Sequence, residues 1–263
     1  MSQQFSRPPP VVSDLILISY PAPHLLLVTL NRPEQLNAMP RSAHIELFPS
    51  LPSLRCAVIT GKGKGFCAGT DLKDHDAGGE SWLEHGFGGM SNRRGKKPII
   101  AAVNGHCFGG GFEVMVSSDF VIASESAKFG LPEVTRGIAA VAGALPRLIC
   151  TIGRQRASEI TLLGHTYSAK TLYDWGILNR ILPQDRVLDE ALLWAVKVAT
   201  QSPDVIILNR AGLLGGWDGE DPTTSTHRTN HGIFKALDGG VNMKEGILSF
   251  VEKRNANWID GKL

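Results

Sequence analysis

The sequence lacks a dominant charge. Its 263 residues carry 27 Lys and Arg against 25 Asp and Glu, which gives a formal net charge of +2. Domains that bind nucleic acid usually carry a strongly basic surface, so this balance does not favour a nucleic-acid partner. No apolar run is long enough to span a bilayer, and residues 1–10 are proline-rich without an apolar signal segment. We expect an intracellular protein with no membrane partner and a flexible tail over residues 1–12.

Cysteine is scarce and is not grouped. The four cysteines are Cys56, Cys67, Cys107 and Cys150. Their spacing is not that of a metal site, and we expect small, reduced side chains, with Cys56 in a core strand and Cys67 and Cys107 in glycine-rich turns. Three histidines also lack metal-ligand spacing, namely His75, His85 and His106. The sequence therefore predicts neither a metal site nor a redox cofactor.

Glycine, by contrast, is abundant, with 29 residues. Gly109–Gly111 predict the start of a helix, and Glu113 lies just inside it. Glu133 follows a Gly-Leu-Pro turn, 20 residues further on. Glycine lets the backbone approach a ligand closely, and the first N–H groups of a helix are free to bind an anion. Two carboxylates beside such donors suit acid/base chemistry on a carbonyl compound.

A second glycine-rich segment follows the strand-like run 55–60. It reads Gly-Phe-Cys-Ala-Gly-Thr-Asp-Leu over residues 65–72. The small residues again permit close approach, and Thr70 or Asp71 is a candidate start of a short helix. Read together with Gly109–Gly111, this segment supplies a second backbone N–H for an oxyanion hole, which is a pair of donors aimed at a developing negative charge.

These motifs resemble the crotonase superfamily, and within it the enoyl-CoA hydratases. The Ala-Gly-x-Asp-Leu run at 68–72 and the Gly-Gly-Gly-x-Glu run at 109–113 stand in the family's order. The similarity begins at the Leu-Val-Thr-Leu-Asn-Arg-Pro run of residues 27–33 and ends near Arg254. A glutamate at both 113 and 133 is similar to the hydratases specifically.

The resemblance implies an α/β fold, a spiral of ββα units with a C-terminal helical trimerisation region. Alternating strand-like runs at 25–30, 57–60, 99–103 and 120–123 agree with such units. We expect a flexible tail over 1–12, a catalytic core over 13–187 and a helical region over 188–263. The family forms homo-trimers or hexamers, and the sequence does not distinguish the two.

The resemblance also implies the reaction and its residues. An enoyl-CoA hydratase adds water across the C2=C3 bond of a 2-enoyl-CoA thioester. Backbone N–H groups of Thr70 and Gly110 would hold the thioester oxygen. Glu113 is the expected base toward water and Glu133 the expected proton donor, although the residues alone do not order them. Coenzyme A is then part of the substrate, and no other cofactor is implied.

Further positions match the family's coenzyme A contacts. They are Gln35, Leu36, Asn37, Thr70, Asp71, Leu72, Lys73 and, toward a neighbouring subunit, Phe250 and Lys253. Two stretches depart from the family pattern. Residues 39–54 are short and broken by proline, so we expect a truncated helix. Residues 74–97 are glycine-rich, and Trp82, Phe87 and Met90 either line the acyl pocket or simply anchor this loop.

Several alternatives stay open. The same oxyanion hole would serve an enoyl-CoA isomerase or a specialised acyl-CoA hydratase or lyase. A non-enzymatic RNA-binding role is disfavoured by the absence of a basic run and by the two glutamates. The acyl group does not follow from the sequence. We expect a cytoplasmic location, with a peroxisomal one as the alternative, because Gly261-Lys262-Leu263 is similar to a peroxisomal address.

Overall fold

The computed structural model describes residues 13–40, 43, 53–74 and 85–261. The predicted tail over 1–12, His75, Trp82, most of the predicted truncated helix and the last two residues of the Gly-Lys-Leu end lie outside the described residues.

Ten strands in the described residues form two sheets. In chain order they are β1 (Ile16–Ser19), β2 (Leu25–Leu30), β3 (Cys56–Gly61), β4 (Gly65–Cys67), β5 (Ile99–Val103), β6 (His106–Phe108), β7 (Phe120–Ser124), β8 (Lys128–Gly130), β9 (Tyr167–Ser168) and β10 (Arg180–Leu182). The larger sheet has the order β1-β2-β3-β5-β7-β10, and the smaller has the order β4-β6-β8-β9. The four strand-like runs of the sequence are therefore confirmed as β2, β3, β5 and β7.

Helices follow the strands and dominate the C-terminal third. They are α1 (Gly110–Val116), α2 (Ala144–Leu163), α3 (Ala169–Asp174), α4 (Gln184–Ala199), α5 (Pro203–Trp217), α6 (Pro222–Arg228), α7 (Lys235–Leu237) and α8 (Val241–Val251), with a π-helical turn at Thr229–Phe234 between α6 and α7. Helix α4 begins at Gln184, before the predicted boundary at residue 188. Pro183 caps its first turn, a position where the missing proline N–H is not needed for a helical hydrogen bond.

The chain winds as a spiral between the two sheets. Strands β3, β5 and β7 lie side by side and parallel in the larger sheet. Each is followed by a strand of the smaller sheet, namely β4, β6 or β8. Helix α1 then follows the second pair and α2 the third. The predicted spiral of ββα units is confirmed, and it brings the ends of β4, β6 and β8 to one place.

The central strands are apolar on both faces because both faces are covered. Ile59 and Ala101 belong to the main core between the two sheets. Val58 and Ile100 point the other way and pack with Ala191 of α4. Parallel strands buried on both faces read as nearly continuous apolar runs, which explains why these segments showed no alternation.

Three cysteines are buried and one is exposed. Cys67 and Cys107 lie in β4 and β6, where they are register partners, so their predicted placement in turns was wrong. Burial raises the pKa of the Cys67 thiol to about 12, which keeps it protonated and unreactive. Cys56 is in the core strand β3, as predicted, and Cys150 is exposed.

No single helix among the described residues has the length and apolar character needed to cross a membrane. The pair Gln184–Ala199 and Pro203–Trp217 passes that test only when the two helices are taken together, and they are bent by 108°.

Asn37 fixes the turn that leads into β4. It is 1% exposed and has a left-handed φ of 58°. Its Oδ1 accepts from the Arg32 N–H at 2.8 Å, while its Nδ2 donates to the carbonyls of Lys62 at 3.0 Å and Gly65 at 2.7 Å. Asn tolerates this backbone conformation better than most residues. One side chain therefore holds both the loop before it and the 62–65 turn.

We predict that Asn37→Ala lowers the free energy of unfolding by about 3 kcal/mol, because it leaves buried backbone groups without partners. Asn31→Ala is the matched control. Among the described residues, the Asn31 side chain makes one hydrogen bond, from Nδ2 to the Asp14 carbonyl at 2.8 Å, and its loss should cost about 1 kcal/mol or less. Urea denaturation of both variants measures the difference. Equal losses of unfolding free energy in the two variants would mean that the buried Asn37 hydrogen bonds stabilise the fold no more than the single exposed bond of Asn31.

Candidate active site

A cavity of about 400 Å³ opens where the ends of β4, β6 and β8 meet. Its lining consists of Ala68, Gly69, Thr70, Leu72, Phe87, Phe108, Gly109, Gly110, Glu113, Pro132, Glu133, Arg136, Ile138, Ala139 and Thr166. Four of the predicted site residues are thus brought together, namely Thr70, Gly110, Glu113 and Glu133. The fold brings these positions, which are up to 63 residues apart in the sequence, to one wall.

Glu113 lies in the first turn of α1 and is 3% exposed. Its Oε1 accepts a hydrogen bond from the Ala144 N–H, the first residue of α2, at 3.2 Å. The pKa of Glu113 is raised to about 7, chiefly by burial and also by the charge of nearby Glu133, while the backbone of Ala144 and Ala142 and the charge of Arg147 oppose the rise. A carboxyl group with such a pKa can both take and give a proton near neutral pH.

Glu133 lines the same cavity. It lies in the one-turn 3-10 helix Pro132–Arg136, where Pro132 sets the start of the turn. A β-carbon placed on Gly109 would lie 3.2 Å from Glu133 Oε1, so only glycine fits there easily. Glu133 Oε2 is buried and has no hydrogen-bond partner among the described residues. Burial raises the pKa of Glu133 as well, while Arg136 lowers it.

Thr70 and Gly110, whose backbone N–H groups are the predicted oxyanion donors, both line the same cavity. The Gly69 carbonyl accepts from the Met39 N–H at 2.9 Å, and the Asp71 N–H donates to the Met39 carbonyl at 3.0 Å. These two bonds fix the peptide on each side of Thr70, whose own N–H donates to none of the described residues. Gly110 is the first residue of α1, so its N–H has no acceptor within the helix. Both donors are therefore available to a bound group.

Close contacts leave no room for a side chain at the glycines around these donors. A β-carbon on Gly69 would lie 3.2 Å from the Gly110 nitrogen, and one on Gly110 would lie 2.2 Å from the Phe87 ring. Gly69 and Gly109 also have positive φ values of 92° and 56°. The two glycine-rich segments consequently touch backbone to backbone, as expected for the two halves of an oxyanion hole.

The predicted coenzyme A residues of the N-terminal half lie beside this wall. Leu36 and Asn37 reverse the chain after the 3-10 helix Pro33–Gln35, and the Leu36 carbonyl accepts from the Ala68 N–H at 3.0 Å. The Asp71 carboxylate forms an ion pair with Arg32 at 2.8 Å, which lowers the pKa of Asp71 and orders the segment. Leu72 lines the cavity itself, and Lys73 follows in the exposed turn Leu72–Asp74.

Phe250 and Lys253 are not brought to the cavity within one chain. Phe250, near the end of α8, is 84% exposed, and Lys253 follows with a left-handed φ of 55°. Their assignment to a neighbouring subunit's nucleotide pocket stays a prediction.

The sequence left open whether the apolar residues of the 74–97 loop line the acyl pocket or only anchor the loop. Phe87 lines the cavity, so it is part of the pocket wall, whereas Met90 is buried in the main core. Phe108, Arg136 and Thr166 also line the cavity and were not identified from the sequence. Phe108 stands next to the Gly109–Gly111 run, a proximity that could have pointed to it, but nothing in the local pattern marks Thr166.

Comparisons with known proteins agree with this geometry. The model of the enoyl-CoA hydratase/isomerase family matches residues 23–261. A mevalonyl-coenzyme A hydratase of Beauveria bassiana is 54% identical, and the alignment covers 98% of this chain and 99% of that protein. A mevalonyl-coenzyme A hydratase of Aspergillus fumigatus is 45% identical, with 94% and 96% covered.

Among solved structures, an enoyl-CoA hydratase of Mycobacterium tuberculosis superimposes with a TM-score of 0.87 at 29% identity, covering 94% of this chain and all of that one. The family and the fold predicted from the sequence are thereby confirmed. The chain belongs to the enoyl-CoA hydratase/isomerase family of the crotonase superfamily and is an enzyme of the enoyl-CoA hydratase type.

Proposed function

We propose that the protein catalyses the reversible addition of water to a 2-enoyl-CoA thioester, using Glu113 and Glu133 and an oxyanion hole formed by the N–H groups of Thr70 and Gly110. The observation that carries this proposal is one cavity lined by two carboxylates with raised pKa values and by Thr70 and Gly110. Each component is needed for conjugate addition, because water is a weak nucleophile and the product is formed through an enolate.

The steps follow from the positions of these groups. Water attacks C3 as one carboxylate accepts its proton, and the electron pair of the C2=C3 bond moves toward the thioester oxygen. The N–H groups of Thr70 and Gly110 stabilise the resulting enolate oxygen, and one such donor lowers the barrier by roughly 3–4 kcal/mol. The second carboxyl group then delivers a proton to C2. No atom is lost or gained apart from the water.

The two carboxyl groups have different surroundings, which supports different roles. Glu113 receives hydrogen bonds from backbone N–H groups at the start of α2, and such bonds favour its ionised form. Glu133 Oε1 lies beside Gly109, and Glu133 Oε2 lacks a partner among the described residues, so a substrate or water would complete its bonding. We assign Glu113 as the base toward water and Glu133 as the proton donor to C2.

The acyl group is proposed to be short, branched and hydroxylated, of the mevalonyl type. Support comes from the two relatives named mevalonyl-coenzyme A hydratase, which are 54% and 45% identical to this chain. Loss of the C3 hydroxyl and a C2 proton from such a thioester gives a 3-methyl-2-enoyl thioester and one water. The cavity wall mixes apolar Phe87 and Ile138 with polar Thr166 and Arg136, which suits a branched carbon chain that also carries a hydroxyl group.

A substrate panel tests the proposal. We predict that mevalonyl-CoA loses one water and that the resulting enoyl thioester regains it, with a higher kcat/KM than straight-chain 3-hydroxybutyryl-CoA. Enoyl absorbance and mass spectrometry follow the reaction. Migration of the double bond without a gain of water would make the enzyme an isomerase. Faster turnover of the straight-chain substrate would contradict the proposed acyl group but not the reaction.

We predict that Glu113→Gln and Glu133→Gln each lower kcat by about 100- to 10,000-fold, because general acid/base catalysis contributes that much per group. Binding of the thioester should change little, since most of the ligand lies outside the carboxyl pair. Glu125→Gln, at an exposed position after β7, is the control and should keep full activity. Near-normal turnover by either site variant would contradict the role assigned to that residue.

The raised pKa of Glu113 also predicts a dependence of stability on pH. Its pKa rises from 4.5 in the unfolded chain to about 7 in the folded protein, so the folded state holds a proton between these values and the unfolded state does not. The free energy of unfolding therefore falls as pH rises from 4.5 to 7, by about 3 kcal/mol from this group. Glu113→Gln should remove that part of the decline and Glu125→Gln should not. Urea denaturation across this range measures it, and an unchanged slope in Glu113→Gln would show that the Glu113 pKa is not raised.

A further inference from the structure

Ser91 is a fully buried residue outside the cavity that contacts two of its walls. Its side chain is 0% exposed. Ser91 Oγ accepts a hydrogen bond from the Phe87 N–H at 2.7 Å and donates its proton to the Ala142 carbonyl at 2.6 Å. The Ser91 carbonyl accepts from the Ser117 hydroxyl, just after α1, at 2.6 Å. This one residue therefore joins three separate parts of the chain.

The Ala142 end of this connection leads to Glu113. Residues 142–144 form the turn into α2. The Ala144 N–H donates to the Glu113 carboxylate at 3.2 Å, and the backbone of Ala142 also lowers the pKa of Glu113. Gly143, between them, has a φ of 129°, a conformation that other residues rarely adopt. A turn built around glycine has little stiffness of its own. Its position depends on its anchors, which include the Glu113 carboxylate, the Ser91 hydroxyl and the Arg147 guanidinium on the Gly143 carbonyl.

The Phe87 end leads to the oxyanion hole. The Phe87 ring lines the cavity and lies so close to Gly110 that a β-carbon there would be 2.2 Å from a ring carbon. Gly86 and Gly88, on either side of Phe87, both have positive φ values, of 72° and 64°. The Phe87 ring is buried in the main core. The bond from the Phe87 N–H to Ser91 Oγ adds to those that the Phe87 carbonyl accepts from the Met90 and Ser91 N–H groups, and together they hold the backbone of this glycine-rich segment.

We propose that Ser91 is a positioning residue for the reaction: its hydroxyl holds the 142–144 turn against Glu113 and the Phe87 ring against Gly110. The base and the oxyanion donor then keep a fixed separation, although neither touches Ser91. This inference rests on the proposed function in that Glu113 takes part in hydration.

Loss of the Ser91 hydroxyl has a directional effect on Glu113. The charged groups that face this carboxyl are Glu133 across the cavity and Arg147 from α2, whose guanidinium also donates to the Gly143 carbonyl at 2.8 Å. When the turn relaxes, its N–H groups donate less well to the carboxylate. These bonds favour the ionised form, so weakening them raises the pKa of Glu113.

The test compares Ser91→Ala with Ser118→Ala. Ser118 is also buried and donates its hydroxyl to the Val114 carbonyl of α1 at 2.9 Å. We expect Ser91→Ala to lower kcat by about 10- to 100-fold with little change in KM. The rising limb of its pH–rate profile should move to higher pH by about half a unit. Ser118→Ala should keep the wild-type midpoint.

A second substitution at position 91 provides a further comparison. Ser91→Cys keeps a weak donor of similar size, so it should restore part of the rate and shift the midpoint less; it carries the test if Ser91→Ala does not fold. An unmoved midpoint in Ser91→Ala, or equal shifts in Ser91→Ala and Ser118→Ala, would overturn the assignment, whatever the rates.

A failure of the proposed function would be recognised separately. If the wild-type enzyme shows no hydration, that proposal falls before any Ser91 variant is assayed. The pH dependence of urea denaturation then tests Ser91 without turnover. In Ser91→Ala, the decline in unfolding free energy that Glu113 causes should extend to higher pH than in the wild type and in Ser118→Ala. Coincident curves would overturn the positioning role.

Discussion

The site depends on one constraint, the close approach of two glycine-rich backbones. The spiral places the ends of β4 and β6 side by side, and no side chain separates Gly69 from Gly110. A β-carbon on Gly111 would lie 2.4 Å from the Cys67 carbonyl, so the first turn of α1 also packs directly on β4. This packing brings Thr70 and Gly110 to the lining of one cavity. It also buries Glu113, three residues after Gly110, and burial is the main reason why its pKa is high.

The surrounding structure stabilises the contact between the two glycine-rich segments from several sides. Asn37 and the bridge between Met39 and Thr70 fix the first glycine-rich segment, while Phe87 closes over Gly110. The start of α2 supplies hydrogen bonds to Glu113. Stability and reactivity are therefore opposed at this carboxyl group. Its burial costs free energy of folding once it ionises, and the same burial gives it a pKa suited to proton transfer near neutral pH.

Much of this architecture could be predicted from the sequence, because apolar runs and glycine motifs are local signals. The strands β2, β3, β5 and β7 and the start of α1 at Gly110 followed directly, and the two glutamates were correctly placed together. Ser91 and the 142–144 turn could not be predicted, since the contact joins a side-chain hydroxyl to a backbone carbonyl 51 residues away and leaves no periodic pattern. Cys67 and Cys107 were misplaced because strands of three residues between glycines look like turns. The roles of Thr70, Gly110 and the coenzyme A residues stay predictions.

The most direct test of the central claim is a crystal structure of Glu113→Gln with a bound 2-enoyl-CoA, a variant that should hold the thioester without consuming it. The account predicts that the thioester oxygen lies about 3 Å from both the Thr70 and the Gly110 nitrogen. C3 should then face the side chain at position 113, and C2 should face Glu133. A thioester oxygen that contacts neither nitrogen, or an acyl group outside this cavity, would contradict it.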